Sequence, residues 1–384
     1  MVNFHFYIYN KISIYYFNES YNMKNKCTLI CDFNWLTISR FSVINKGFDK
    51  TLPEHALNEA KEELKDMLTK SINVILNRFP VIDNIVVVAD GGSWRKQLPV
   101  PEQLKNITYK GNRQADVEMS WDHIWAASSE VLENCRKEGI TVSQHNNIEG
   151  DDWVWYWSRR LNKNGINTII WSSDCDLKQL VQVDNDTDAF TVWYNDKNGI
   201  WIPKEMEEHD IDDIEYFMQP TYENAILETL KMRSKSGVNY IQPDSIILSK
   251  IICGDAGDNI KSVVRYTKNG RNYRFAEKDW DGVSNQLNIN TIEDLIKNKN
   301  KVAKAICNHK KVYPHDISTS EILEMINYNI KLVWLNESVI PETCILAMNN
   351  VEYNEYDVDY IRSNYKVICG DRRKDEIMSI FDSI

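Results

Sequence analysis

The sequence predicts an α/β protein with a central, mainly parallel twisted sheet flanked by helices, followed by a mostly helical C-terminal domain. Three observations predict it. Continuous apolar runs recur at Cys27–Asp32 (CTLICD), Asn84–Asp90 (NIVVVAD) and Thr168–Ser173 (TIIWSS), as strands buried on both faces require. Segments with the i, i+3, i+4 apolar spacing of helices lie between them. After about Asp210 the strand patterns fade, and helical patterns with long loops take over.

In chain order, residues 1–22 are rich in Tyr, Phe, Ile and Asn, and Met23 then opens a basic stretch leading into the first strand. Met23 as the start and an ordered extra strand over residues 1–22 are equal readings; the stretch lacks the continuous apolar run and small-residue cleavage site of a signal peptide. A helix is expected over Phe33–Phe41, another over Leu57–Phe79, a third over Ser120–Glu138 and a fourth over Asp151–Lys163. Trp153, Trp155 and Trp157 alternate on the last of these and cannot share one face, so burial between layers is the expectation. The organisation expected is an N-terminal extension (1–22), an α/β domain (23–210) and a helical domain (211–384).

At 384 residues the chain can bury a sizeable core. Its 12 Trp, 19 Tyr and 11 Phe read as globular, and no apolar run reaches the roughly 18 residues of a membrane span. The reading is a soluble, cytoplasmic, monomeric protein. Eight cysteines without CxxC pairs or clustered His favour reduced thiols over zinc or disulfides. A net charge of −11 argues against a nucleic-acid partner. That objection weakens if many carboxylates are gathered where bound cations invert the local sign.

The three apolar runs end in acid: Asp32, Asp90, and the pair Asp174 and Asp176 in SSDCD. In open α/β sheets, sites form at the carboxyl ends of the strands. Taken singly, an Asp ending a strand is more often a helix cap or turn residue. The segment IEGDD adds Glu149, Asp151 and Asp152 at a helix start, where the helix dipole alone would favour acids. GDAGDN adds Asp255 and Asp258. Pooled in one apolar-walled site, these acids would repel one another unless divalent cations neutralise them. Hard oxygen ligands select Mg²⁺, with Mn²⁺ able to substitute. Two such ions suit phosphodiester hydrolysis, one generating hydroxide and the other stabilising the leaving oxygen.

The order and spacing of LICDFN, VVVADGG, EGDD, SSDCD and GDAGDN resemble those of the flap endonuclease and 5′→3′ exonuclease family, most closely its T-even phage ribonuclease H branch. SWRKQ, YKGNR, SWDHIW and KLVWLNESVIPE extend the resemblance from about Thr28 to Asn350. It implies a PIN-like flap-nuclease fold and two Mg²⁺ ions. Asp32, Asp90, Glu149, Asp151 and Asp152 match the acids of a first metal site, and Asp174, Asp176, Asp255 and Asp258 those of a second, with Asp174 able to touch both. Residues 91–119 match the family's helical arch. There Lys110 resembles the lysine that neutralises the scissile phosphate, and Arg113 and Arg95 resemble phosphate contacts; unaided, a stretch of this composition reads as a solvated loop. Tyr109 could stack on a base or pack in the core. Arg40 and Phe41 fall where relatives place a wedge at the duplex end.

One departure stands out. Where many relatives carry a glycine-rich helix–turn–helix that grips duplex backbone and a monovalent ion, this chain reads IKSVVRYTKNGRNYRF. The monovalent ion is therefore in doubt, while Lys261 and Arg265 keep the region basic enough for phosphate contact. At the C-terminus, Ile377, Ile380 and Phe381 have the spacing of a sliding-clamp-binding peptide, with a terminal helix packed on the body as the alternative. The activity implied is removal of RNA primers and cutting of flaps in phage DNA replication. The partners implied are DNA and RNA–DNA duplexes with 5′ ends or flaps, a single-strand-binding protein and a sliding clamp. A PIN-like endoribonuclease and an inactive branched-DNA-binding factor are the competing readings.

Overall fold

A computed structural model describes residues 26–113, 116–206, 222–268, 271–312, 315 and 317–370. The N-terminal extension and the candidate clamp-binding residues Ile377, Ile380 and Phe381 lie outside them. One sheet forms the centre, in the order β3 (Thr141–Ser143), β2 (Asn84–Val88), β1 (Cys27–Asp32), β4 (Asn167–Trp171), β6 (Phe190–Asn195), β7 (Gly199–Pro203) and β8 (Val238–Ile241), with the short β5 (Gln182–Val183) on β6. All pairs are parallel except β5–β6 and β6–β7. The mixed, mostly parallel sheet flanked by helices is the fold class the sequence predicts.

The three apolar runs lie side by side because each is buried on both faces. Successive side chains on a strand point to opposite faces. Leu29, Cys31, Ile85, Val87 and Ile169 therefore enter one core with α1 (Phe33–Phe41), α2 (Glu54–Arg78) and α3 (Trp121–Lys137). Ile30, Val86, Val88 and Ile170 enter the other with α4 (Gly150–Lys163), whose Trp153, Trp155 and Trp157 are all buried. Each fully buried Leu, Ile or Val contributes about 1.5–3 kcal/mol.

Elements after residue 211 join both cores. These are α5 (Tyr222–Arg233), α6 (Pro243–Cys253), α7 (Glu277–Leu287), α8 (Ile292–Cys307), α9 (Thr319–Val333), α10 (Glu342–Asn349), α11 (Val358–Ser363) and α12 (Lys366–Cys369). Helices α11 and α12 supply Ile361 and Ile368 to the first core, and α10 supplies Met348 to the second. A third core joins α6 to α9 with Leu104 and Tyr109 from the segment before α3. Capping boxes start α8 (Thr291 with Asp294) and α9 (Ser318 with Glu321), and each satisfies amides that the first helical turn leaves unpaired.

Two expectations are corrected. Strands do not end at about Asp210: β8 extends the main sheet, and β9 (Arg265–Lys268) pairs with β10 (Arg271–Arg274) as a separate ribbon. The expected arch is not helical among its described residues. It is a strap of 3-10 turns (Trp94–Gln97 and Glu102–Leu104) and open turns, because Leu98, Leu104, Ile107 and Tyr109 spend their apolar surface on the third core.

One buried side chain ties α4 to the sheet. Asn162, fully buried, donates to the carbonyls of Ile166 and Phe190 at 3.0 and 3.1 Å and accepts from the Thr191 hydroxyl at 2.6 Å. Asn162→Ala removes the donor from two carbonyls and the acceptor from Thr191, so a loss of about 2–4 kcal/mol is expected in urea denaturation. A loss below about 0.5 kcal/mol, the range of a surface change, would contradict this role.

Candidate active site

Parallel pairing aligns the ends of β1, β2 and β4, with Asp32 opposite Val88 and Cys31 opposite Trp171. Asp32, Asp90 and Asp174 therefore leave the sheet along one edge. Asp32 caps α1, accepting the Trp35 amide at 3.1 Å and the Ser172 hydroxyl at 2.6 Å. Asp90 accepts the Gly150 amide at 2.5 Å. A Cβ on Gly150 would lie 3.1 Å from that carboxylate oxygen, which leaves little room there for a larger residue. Asp174 accepts the Asp176 amide at 2.8 Å and caps the 3-10 turn Cys175–Leu180. Asp151 stands in the first turn of α4.

These four carboxylates share one electrostatic environment. Burial, with the charges of Asp90 and Asp174 added, pushes Asp32 up to about 7 against its two hydrogen bonds. Asp151 is raised well above the usual carboxylate range by burial and by Asp174, then by Glu149 and Asp32. Burial also raises Asp90. Among the described residues, none of the four carboxylates is in an ion pair.

The other acids are already neutralised. Arg95 bonds Asp152 at 2.8 and 3.0 Å and Glu149 at 2.7 Å, and Trp94 adds a bond to Asp152 at 3.0 Å. Lys110 bonds Glu149 at 2.7 Å and lies 4.0 Å from Asp258, which also pairs with Arg113. Burial works to raise Glu149, but Arg95 and Lys110 outweigh it and hold it below its usual range. Lys250, in the last turn of α6, bridges Asp176 and Asp255, lying 2.5 Å from the latter. Burial and Asp174 still push Asp176 up to about 6, whereas Lys250 holds Asp255 low against its own burial.

Two segments are locked together above the strand ends. Lys110 donates its backbone amide to the Asp258 carbonyl at 2.9 Å, Asn112 donates to the Ala256 carbonyl at 3.0 Å, and Asn259 donates to the Thr108 carbonyl at 2.9 Å. YKGNR and GDAGDN thus form one latch. Gly254 opens that loop at φ 79, where a Cβ would lie 2.5 Å from the Ser262 nitrogen.

The structure moves several residues out of their expected roles. Arg95, expected to meet phosphate, is 2% exposed and committed to two carboxylates. Asp152, expected as a metal ligand, is fully buried and completes a capping box with Glu149. Tyr109 is buried, its hydroxyl 3.5 Å from Glu149, so packing prevails over base stacking. Phe41 packs on Phe48 and Trp121 with ring centroids 5.8 and 5.4 Å away, and is no exposed wedge. Arg40, beside it, is half-buried and lines a cavity of about 240 Å³ with Lys70, Ser71 and Trp171. Lys261 is half-buried and Arg265 exposed at the start of the β9–β10 ribbon, where Tyr266 stacks on Tyr273 at 5.2 Å. Lys250 is the residue sequence reading missed; its only signal is a lysine in the same segment as GDAGDN.

The donor chemistry fits a hard divalent ion: carboxylate oxygens with excess negative charge at Asp32, which is buried, at Asp151 and Asp174, which are half-buried, and at Asp90, which is exposed. Among the described residues, no three acidic, His or Cys side chains stand close enough together to grip an ion directly. Ligation through water meets both observations.

The fold is that of the PIN-like flap nucleases. Three solved structures of the bacteriophage T5 5′-exonuclease, each 16% identical, align over 90% of this chain and 100% of their own. They are the enzyme with bound divalent metal ions (zinc), at TM-score 0.50, the T5 D15 protein co-crystallised with metal ions, at 0.48, and the D15 flap endonuclease in complex with DNA and metal ions, at 0.46. At this identity the likeness is one of fold. No protein-family model matches the chain, and no curated protein does. Among the described residues, no helix is long and apolar enough to cross a membrane.

Two outcomes follow. Arg95→Met strands Asp152 and Glu149 in the interior, so a loss of about 3–5 kcal/mol is expected in chemical denaturation; a loss under about 1 kcal/mol would remove the pair from the site's framework. Because the folded state raises Asp32, the stability it contributes is full below the ordinary carboxylate range and is lost as pH rises through about 7. In EDTA, Asp32→Asn should therefore lose less Tm than the unmodified chain between about pH 5 and about pH 8. Equal slopes would assign the titration elsewhere.

Proposed function

We propose that the chain is a Mg²⁺-dependent 5′ nuclease that removes RNA primers and short stretches of adjoining DNA, and cuts flaps, during phage replication. The observation that carries this reading is the meeting of four carboxylates, three after strand ends and Asp151 at the start of α4, none of them in an ion pair among the described residues, with the Lys110–Arg113 latch. The likeness in fold to the metal-bound T5 5′-exonuclease supports it, as does the motif order in the sequence; the 5′ polarity and primer substrate rest on that resemblance. Asp32, Asp90, Asp151 and Asp174 would hold one ion, and Asp176 and Asp255 a second, with Asp174 between them. When bound, the ions supply hydroxide at neutral pH and stabilise the leaving oxygen.

The protein's own residues set the geometry. Lys110, 15% exposed, places an ammonium beside the carboxylates, where it can meet negative charge developing on phosphoryl oxygens. Arg113 lies further out, 56% exposed, and can receive the neighbouring phosphate. Ser172 and the Trp35 amide fix the rotamer of Asp32. Arg95 fixes Glu149 and so sets the height of Lys110 above the strand ends. Lys261 and Arg265 extend the basic path toward the duplex stem.

The ion pairs already present at Glu149, Asp176, Asp255 and Asp258 favour one competitor, a branched-DNA-binding factor that works without metal. Hydrolysis of a 5′-labelled RNA-primed duplex separates the two. Asp174→Asn should lower Mg²⁺-dependent cleavage by at least about a thousandfold with duplex affinity retained; cleavage in EDTA, or near-unmodified activity of the variant, would reject the nuclease reading.

A further inference from the structure

The bridge made by Lys250 has a consequence for the metal chemistry. Its ammonium lies between Asp176, from the turn after β4, and Asp255, from the loop after α6, two segments that no backbone pairing joins at this point. The lysine side chain is 21% exposed and the two carboxylates 25% and 20%. Among the described residues, Lys250 is the sole cation in an ion pair with either acid. A lysine ammonium is a compact point charge with three donors and no acceptor. It asks of two carboxylates what a small cation asks, namely oxygens turned toward a common centre.

We propose that Lys250 holds the second metal position when no ion is bound, and that a divalent ion must displace it; this rests on the site being a metal centre. The two cannot share the position. Like charges a few ångströms apart repel strongly in a half-buried site, and a divalent ion doubles the charge facing the lysine. The four-carbon stem of Lys250, on the last turn of α6, lets the ammonium swing out while the helix stays in place. Among the described residues, Asp32, Asp90, Asp151 and Asp174 carry no such bridge, so the two positions differ in what an ion must dislodge. The lysine also keeps Asp255 against Asp176 without metal, which holds the GDAGDN loop, and with it the latch to Lys110, in place before an ion arrives.

The test is a calorimetric titration of the metal-stripped full chain with Mn²⁺, for the unmodified protein and Lys250→Met, alongside thermal unfolding in EDTA and at saturating Mn²⁺. Lys250→Met should leave the tighter class of site unchanged and strengthen the weaker about tenfold, equivalent to about 1.4 kcal/mol. It should also lower Tm in EDTA, where Asp176 and Asp255 lose their partner, and recover the unmodified Tm at saturating Mn²⁺. A weaker-site affinity that is unchanged or reduced, with the stronger site intact, overturns the role of the lysine and leaves the nuclease reading standing. Failure of either protein to bind Mn²⁺ overturns both. Should Lys250→Met not fold in EDTA, Lys250→Arg keeps the charge in place; no strengthening of the weaker site is expected there, and a tenfold gain would equally overturn the proposal.

Discussion

Mutual repulsion among buried carboxylates is the constraint on which this structure turns. Parallel pairing of β1, β2 and β4 delivers Asp32, Asp90 and Asp174 to one edge, and the start of α4 brings Glu149, Asp151 and Asp152 beside them. Burial alone raises such groups, and each neighbouring charge raises them further. The polypeptide answers with cations from distant segments: Arg95 and Lys110 from the strap, and Lys250 from α6. Long-range packing of the chain follows from those pairings as much as from its apolar cores.

The strap shows how the two work together. Its apolar residues, Leu98, Leu104, Ile107 and Tyr109, dock on the third core, while Arg95 and Lys110, which flank them in sequence, reach into the acids. Neither contribution would suffice alone. A buried ion pair on a floppy segment would bear the cost of ordering both partners, and an apolar strap without charges would leave Asp152 and Glu149 unpaired. Together they fix the segment in an irregular path that an isolated helix could not follow. The backbone amide of Lys110 and the side-chain amides of Asn112 and Asn259 then join this path to the loop bearing Asp255 and Asp258.

Much of the fold was legible because strands buried on both faces leave a continuous apolar signature, as in Asn84–Val88 and Asn167–Trp171. Helices α2, α3 and α4 were legible from their spacing for the same reason. β8 was not: its four residues, VNYI, are too short for periodicity to register. The β9–β10 ribbon carried a signal that went unused, the Asn-Gly dipeptide between RYTK and RNYR, the preferred turn of a two-residue hairpin. In the site, acids at strand ends announce themselves through a local pattern. Their cations do not. Asp152 lies 57 residues from Arg95 and Asp176 lies 74 from Lys250, so a basic residue in a loop reads as solvated until the fold supplies its partner.

That difference explains why Arg95 and Asp152 leave their expected roles. Arg95 and Asp152 meet where packing excludes water, so their charges must cancel each other within the protein. Lys110 is only 15% exposed, paired with Glu149, yet it also lies near Asp90 and Asp151, which are in no ion pair among the described residues. A site that is to accept an external cation needs uncancelled negative charge, and a framework that is to hold it needs charge fully cancelled. Two neighbouring acids of α4 divide between these demands. Asp152 lies at the bottom, paired and fully buried. Asp151, one residue away on the same helical turn, faces Asp174 and Asp32 with no basic partner in ion-pair contact among the described residues.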